Sequence, residues 1–137
     1  MTMSIRAKNI MVPGVIVLGP NDSVRKAIRT LIENKISGAP VVEERTGRML
    51  GFVSEYDLIL AAHYVGWGLD VRRAMKADVY SATEETPIEE IAEMMLKWKI
   101  RRVPVLNEKE QPVGIVSRRE VLASYYDDSP PTGPPAA

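Results

Sequence analysis

A pair of motifs that occurs twice in this 137-residue chain constrains its fold more than any other feature. The copies read ISGAPVV at 36–42 with GFVSEYD at 51–57, and IRRVPVL at 100–106 with GIVSRRE at 114–120. Pro40 and Pro104 lie 64 positions apart (104 − 40), and Gly51 and Gly114 lie 63 apart (114 − 51), so one residue is lost between the motifs. Such long agreement with one single-residue gap indicates an internal duplication.

Composition places the chain among soluble globular proteins, with 45% apolar and 26% charged residues. Each half alone would be marginal in size, so we expect the halves to pack together. A formal net charge of +0 favours neither nucleic acid nor a membrane surface as a partner. Without cysteine, and without a long apolar run at the start, the sequence predicts a cytoplasmic protein lacking a signal peptide or transmembrane helix.

Both copies predict the same order of elements: strand, helix, strand, strand, helix. In the first copy, the apolar run 15–18 predicts a strand, and the apolar stripe within 23–34 predicts a helix with Asp22 as its N-cap. Strands over 39–42 and 49–53 flank a hairpin loop. A helix capped by Ser54 follows.

The second copy repeats this plan, with strands over 79–82, 103–106 and 112–116 and helices over 87–99 and 118–125. Thr86 is the expected cap of the first of these helices, with Pro87 at its first position. The predicted units are 1–66 and 67–127, followed by a Pro-rich tail, 128–137, that is expected to be disordered. A crossover helix and a hairpin in each unit predict an α/β (α+β) fold, with the two units packed sheet to sheet about a pseudo-twofold axis.

The order of elements, the Pro-Val-Val strand at 40–42 and the GFVSEYD motif opening the last helix resemble the cystathionine-beta-synthase (CBS) domain. The tandem arrangement, over roughly residues 4–126, resembles the CBS pair or Bateman module. Such pairs bind adenine nucleotides or adenosyl ligands between the repeats, regulate an attached or partner protein, and usually dimerise. The resemblance therefore implies a non-catalytic regulatory, energy-sensing homodimer that binds AMP, ADP or ATP and acts on a separate effector protein.

Ser54 and Asp57 allow two interpretations. Their spacing fits a capping box at a helix N-terminus. The resemblance implies instead that Asp57 accepts the ribose hydroxyls and that Ser54 lies near the phosphate, which a helix N-terminus attracts. Both roles stay open for Ser54, and ligand binding is favoured for Asp57. Glu120, at the equivalent place in the second copy, is expected to be structural because its extra methylene would crowd a ribose.

For the adenine base, the resemblance implies a slot formed by two segments, 11–16 and 36–38. The nucleotide-binding residues it implies are Met11, Gly14, Ile16, Ile36, Ser37, Gly38, Pro40, Ser54 and Asp57. Core packing is the stronger alternative for Met11, Ile16 and Ile36, whereas for Ser37 and Gly38 the alternatives are balanced.

Four arginines surround the motifs of the second copy: Arg101, Arg102, Arg118 and Arg119. In the family, one repeat reaches the phosphates of a nucleotide seated in the other, and guanidinium groups match phosphate oxygens bidentately. These residues are the predicted phosphate-binding group, with a solvated surface as the alternative.

Other function classes find little support. His63, the only histidine, has no acidic or cysteine cluster beside it, so no metal site is predicted. No P-loop or Gly-x-Gly-x-x-Gly motif is present, and no nucleophile with a general base suggests a catalyst. The second hypothesis is a dimerisation scaffold with degenerate pockets and no ligand. Wide apolar faces on the predicted helices favour a homodimer under either hypothesis.

Overall fold

The computed structural model describes residues 5–127, so the predicted Pro-rich tail, 128–137, lies outside the described residues. The fold is mixed α+β, and the elements of each repeat include the predicted helix, strand, strand and helix in that order, after a four-residue helix that the sequence did not predict. They are α1 (Ala7–Ile10), α2 (Val24–Asn34), β1 (Gly38–Val42), β2 (Met49–Ser54), α3 (Glu55–Tyr64), α4 (Val71–Ala74), β3 (Ala82–Thr83), α5 (Ile88–Trp98), β4 (Arg102–Leu106), β5 (Pro112–Ser117) and α6 (Arg118–Asp127).

The chain folds into two compact units that are interleaved in sequence. The N-repeat unit consists of Val15–Val79 and Glu108–Pro112. The C-repeat unit consists, among the described residues, of 5–14, Tyr80–Asn107 and 113–127. The segment that leads into each repeat therefore belongs to the unit built around the other repeat. The domain boundary at residue 66 and the sheet-to-sheet packing stay predictions from the sequence.

In the N-repeat unit, β1 and β2 form an antiparallel hairpin whose register runs from Gly38 opposite Ser54 to Val42 opposite Met49. Its core is formed by apolar residues of α2, α3, the hairpin and α4, with the addition of Leu18. The predicted strand 15–18 is wrong. Leu18 alone pairs with β1, donating to the Pro40 carbonyl and accepting from the Val42 N–H, because only one residue of that apolar run reaches the hairpin.

In the C-repeat unit, β3, β4 and β5 form a three-stranded sheet in which β3 runs parallel to β4. β3 has two residues instead of the four predicted over 79–82. Residues 5–14 join this unit: the Ala7 N–H donates to the Thr86 carbonyl at 2.8 Å, and the Ile88 N–H donates to the Ile5 carbonyl at 2.9 Å. The Lys8 ammonium, 2.6 Å from the Glu85 carboxylate, lowers the pKa of Glu85.

Two predicted helix caps are wrong, and for the same reason. Asp22 accepts from the Gly19 N–H at 2.7 Å, so Ser23 becomes the N-cap of α2 and accepts from the Lys26 N–H at 3.0 Å. Thr86 likewise accepts from the Thr83 N–H at 2.9 Å, and Pro87 is the N-cap of α5. In each case the preceding turn uses the side chain that the sequence assigned to the helix.

Candidate functional site

The N-terminus of α3 carries a capping box, which is one of the two interpretations that the sequence allowed for Ser54 and Asp57. Asp57 Oδ2 accepts two hydrogen bonds, from the Ser54 N–H at 2.9 Å and from the Ser54 hydroxyl at 2.9 Å. The Asp57 N–H donates to Ser54 Oγ at 3.2 Å. Asp57 is only 6% exposed, so this cap holds a buried carboxylate at the positive end of a ten-residue helix.

The second oxygen of Asp57 faces a cation. Lys76 Nζ lies 3.2 Å from Asp57 Oδ1, so the buried carboxylate is neutralised from within the N-repeat unit. The backbone of Lys76 is fixed by a two-way bridge to Phe52, with both N–H to carbonyl distances at 2.9 Å.

Gly51 allows the segment around Lys76 to approach β2 this closely. A Cβ atom on Gly51 would lie 2.5 Å from the Lys76 carbonyl oxygen and 2.8 Å from Met75 Sδ. The glycine that opens the motif is therefore a requirement for the position of Lys76.

The C-repeat unit repeats this construction at the N-terminus of α6. Glu120 Oε1 accepts from the Ser117 N–H at 2.6 Å and from the Ser117 hydroxyl at 2.6 Å. Val12 forms the corresponding backbone bridge, to Ile115, and Met11 lies over Gly114. Position 12 lies 64 residues before position 76 (76 − 12), so valine stands where the first cap has lysine.

Four of the predicted nucleotide-binding residues lie close together in the N-repeat unit: Ser37, Gly38, Ser54 and Asp57. The Ser37 carbonyl accepts from the Glu55 N–H at 3.0 Å, and Gly38 is paired with Ser54 across the hairpin. Three others serve the framework or its edge. Pro40 is buried within β1, Ile36 packs against the core, and Ile16 is half-buried outside any strand.

The remaining predicted site residues lie in the C-repeat unit. Met11 packs against that unit's core, and Gly14 is exposed with a φ of 71°. Arg101, Arg118 and Arg119 are exposed, and Arg102 is half-buried as the first residue of β4. The Arg118 N–H donates to the Arg101 carbonyl at 3.1 Å, so those two arginines lie side by side.

Sequence reasoning missed Lys76. It lies in the linker between the repeats, where no motif draws attention to it. The 64-residue spacing offers the one signal, since it sets this lysine against Val12 in an otherwise similar pair of segments. Its contact with Asp57 joins residues 19 positions apart (76 − 57), which only the folded chain reveals.

An apolar groove of about 670 Å³ runs between α2 and α3 in the N-repeat unit. Its lining is mostly aliphatic, with Trp67 at one side, and Asp57 is not part of it. The groove therefore suits an apolar surface better than a nucleotide, which needs polar groups converging on ribose and phosphate.

Residues 5–127 contain no group of three or more His, Cys, Asp or Glu side chains placed to hold a metal ion. No helix in this range is long and apolar enough to span a membrane.

Comparison with known proteins identifies the family. The model of the CBS domain matches residues 7–64 and again residues 70–127. The chain belongs to the CBS domain family. As a CBS pair, it matches the CBS domain pair of protein MJ0100 in complex with 5′-methylthioadenosine and S-adenosyl-L-methionine, with 25% identity and a TM-score of 0.83, over 93% of this chain and 100% of that one.

A second CBS pair of known structure is CBSX2 in complex with AMP, at 27% identity and a TM-score of 0.78, covering 89% of this chain and 96% of that one. Both structures are CBS pairs, and both hold an adenosyl compound.

Among curated relatives, the inosine-5′-monophosphate dehydrogenase of Korarchaeum cryptofilum is 31% identical over 126 residues, which are 92% of this chain and 25% of the enzyme. This CBS pair thus spans about a quarter of that relative's length. A 17.7 kDa uncharacterised protein of Acidianus ambivalens is 27% identical and is matched over 76% of its length, by 91% of this chain.

Proposed function

We propose that this CBS pair is a non-catalytic, energy-sensing regulatory module that binds an adenine nucleotide or adenosyl ligand and passes its occupancy to a separate effector protein. The observation that carries the proposal is the buried Asp57 carboxylate at the N-terminus of α3, next to Ser37 and Gly38. The adenosyl compounds held by the similar CBS pairs support it.

Asp57 has the chemistry that ribose recognition requires. A carboxylate accepts hydrogen bonds from both hydroxyls of a cis-diol, and the cap with Ser54 holds the side chain in one orientation. The N-terminus of α3 favours a phosphate nearby. Gly38 has no side chain to oppose a base that approaches the backbone at the start of β1.

The rest of the predicted site comes from the sequence and belongs to the same proposal. Ile16 and Ile36 would face the adenine, whereas Met11, Gly14 and the four arginines, which lie in the C-repeat unit, keep the roles predicted for them from the sequence. AMP, ADP and ATP are the expected ligands, and the cytoplasm is the expected location. A ligand regulates such a module only if it binds two conformations of the chain with different affinity.

A homodimer is part of this proposal. In the N-repeat unit, α3 exposes Ile59 and Leu60, and Ile59 lines the groove beside α2. In the C-repeat unit, α6 exposes Leu122, Tyr125 and Tyr126. Such apolar faces favour burial against a second copy. Light scattering at micromolar concentration should give the mass of a dimer, and a monomer with and without nucleotide would contradict it.

The alternative is a dimerisation scaffold without a ligand. The exposed apolar helices favour it, and so does Glu120, whose extra methylene would crowd a ribose. Against it stands Asp57, a buried carboxylate that pairs with Lys76 at 3.2 Å, whereas the equivalent cap at Glu120 has no such cation within the described residues 5–127.

Calorimetric titration with AMP, ADP, ATP, S-adenosyl-L-methionine and 5′-methylthioadenosine distinguishes the two hypotheses. The regulatory proposal expects saturable binding of at least one compound, with about one molecule bound per chain. If none of the five binds at millimolar concentration, the scaffold hypothesis replaces it.

A further inference from the structure

Asp57 cannot accept a cis-diol in the arrangement that the structure records. A carboxylate offers about four acceptor positions, and three of them are used here: two by Ser54 on Oδ2 and one by Lys76 on Oδ1. The two hydroxyls of a ribose need two positions. Because the bonds to Ser54 also cap α3, the bond to Lys76 is the one that can be given up without opening the helix.

Lys76 is built to make that exchange. Its backbone is held by the bridge to Phe52 and cannot drift away from the site. Its side chain, however, is 67% exposed, while that of Asp57 is 7% exposed. An exposed lysine on a flexible four-carbon stem changes partner at little cost. The backbone of Lys76 is therefore fixed, while the ammonium at the end of its side chain can move.

The second cap of the same chain shows that this lysine is not a requirement of the fold. Val12 makes the equivalent backbone bridge, to Ile115, without any charged group at its end. Glu120 forms no ion pair with the residues described between 5 and 127. The same backbone construction thus stands with and without the cation, which points to a role for Lys76 other than support.

We propose that Lys76 selects the charge of the ligand at Asp57. Ribose hydroxyls displace its ammonium from Oδ1, and the ammonium then pairs with the 5′-phosphate of the same ligand. This inference rests on the proposed function, because it assumes that Asp57 binds a ribose. It predicts that the phosphate of a charged adenosine compound forms a new ion pair with the ammonium and so compensates for the loss of the pair with Asp57. An uncharged compound would leave the ammonium without an anion.

The test compares AMP with adenosine, which differ only in the phosphate, by titrating each into wild-type protein and into two variants. Lys76→Met keeps an unbranched apolar stem and removes the charge, and Lys76→Arg keeps the charge. We expect Lys76→Met to lower the ratio of AMP affinity to adenosine affinity about tenfold, mainly by weakening AMP, and Lys76→Arg to retain most of that ratio.

Lys26→Met is the matched control. Lys26 forms a similar ion pair in the same unit, with its Nζ 3.1 Å from Asp22 Oδ1 and its side chain 61% exposed. It should leave the affinity ratio unchanged, and thermal unfolding should show that all variants are folded.

Four results would overturn the assignment. Unchanged affinities for both compounds in Lys76→Met, or the same change of the ratio in Lys26→Met, would show that Lys76 does not recognise the phosphate. An equal loss for AMP and adenosine would make Lys76 a residue that only positions Asp57. If wild-type protein binds neither compound, nor any of the adenosyl ligands above, the proposed function itself fails, and this inference falls with it.

Discussion

The caps of α3 and α6 share a backbone plan and differ in their charged neighbours. In both, a serine N–H and hydroxyl donate to a single carboxylate oxygen three residues further on. Asp57 then gives its second oxygen to Lys76, whereas Glu120 has Val12 at the equivalent position. The duplication kept what the helix needs and varied what a ligand would meet. A capping box alone is therefore weak evidence of a binding site, and the charged residues around it are the better indicator.

The largest difference between the caps should appear on removing their carboxylates. Asp57→Ala should weaken AMP binding by about 1–3 kcal/mol, or roughly 5- to 150-fold, because two ribose hydroxyls lose their acceptor. Glu120→Ala should leave the affinity within about twofold, since we expect no ligand there. Calorimetry measures both.

Each of these two variants also loses one cap, at a cost of about 1 kcal/mol in the free energy of unfolding. Equal unfolding losses with unequal binding losses would therefore separate the two functions of the carboxylates. Equal binding losses would show that the second cap also holds a ligand.

The two motif glycines should differ in how well they tolerate a methyl group. In Gly51→Ala the new Cβ meets the Lys76 carbonyl oxygen, which the bridge to Phe52 fixes, so we expect a loss of about 2–3 kcal/mol. In Gly114→Ala the new Cβ meets only side-chain atoms of Met11, of which Sδ and Cγ can rotate away while Cβ, at 2.9 Å, moves only with the backbone, so the loss should be about 1–2 kcal/mol.

Urea unfolding gives both values. The Gly51 variant should also bind AMP more weakly, because the new methyl group pushes Lys76 away from Asp57. A larger loss of stability for Gly114→Ala would mean that the segment at Met11 is held against its hairpin more rigidly than the segment at Lys76.

The predicted phosphate role of the arginines gives a smaller effect. The double variant Arg101→Ala/Arg118→Ala should lower the affinity for AMP about three- to tenfold and leave the affinity for adenosine unchanged. The expected effect is small because exposed charge pairs are partly screened by solvent. Raising the salt concentration should reduce the effect further. If AMP affinity stays the same in low salt, these arginines are solvated surface.

The smallest change expected concerns stoichiometry. Wild-type protein should bind about one nucleotide per chain, at Asp57, because the longer Glu120 crowds the second position. Glu120→Asp should preserve that first binding event and add a second, weaker one. Two equivalent sites in the wild-type protein would show that the extra methylene is no obstacle.

Local signals made most of the elements predictable. The apolar stripe with Leu31 and the turn containing Gly47 specify a helix and a hairpin that need no distant partner. The run at 15–18 misled, because apolar residues predict burial, but a strand needs a neighbour with free backbone groups along its length. Only Leu18 finds one.

The candidate site divides in the same way. Ser54 and Asp57 lie three residues apart, so their cap follows from the sequence. The pairing of Asp57 with Lys76 depends on a backbone bridge to Phe52 that no local pattern encodes. The caps at Asp22 and Thr86 failed because a turn and a helix competed for one side chain, and their relative strengths depend on the surrounding fold.

The exchange of leading segments determines how such a chain can be divided. A gene fragment that ends at residue 66 would encode β1 and β2 without the segment at Lys76 that pairs with Phe52. It would also carry residues 5–14, whose backbone partners lie beyond the break. Recombination at the border between the repeats would thus separate each hairpin from the segment that pairs with it. Each copy looks like a complete domain in the sequence, yet the fold is preserved only when both copies are transferred together.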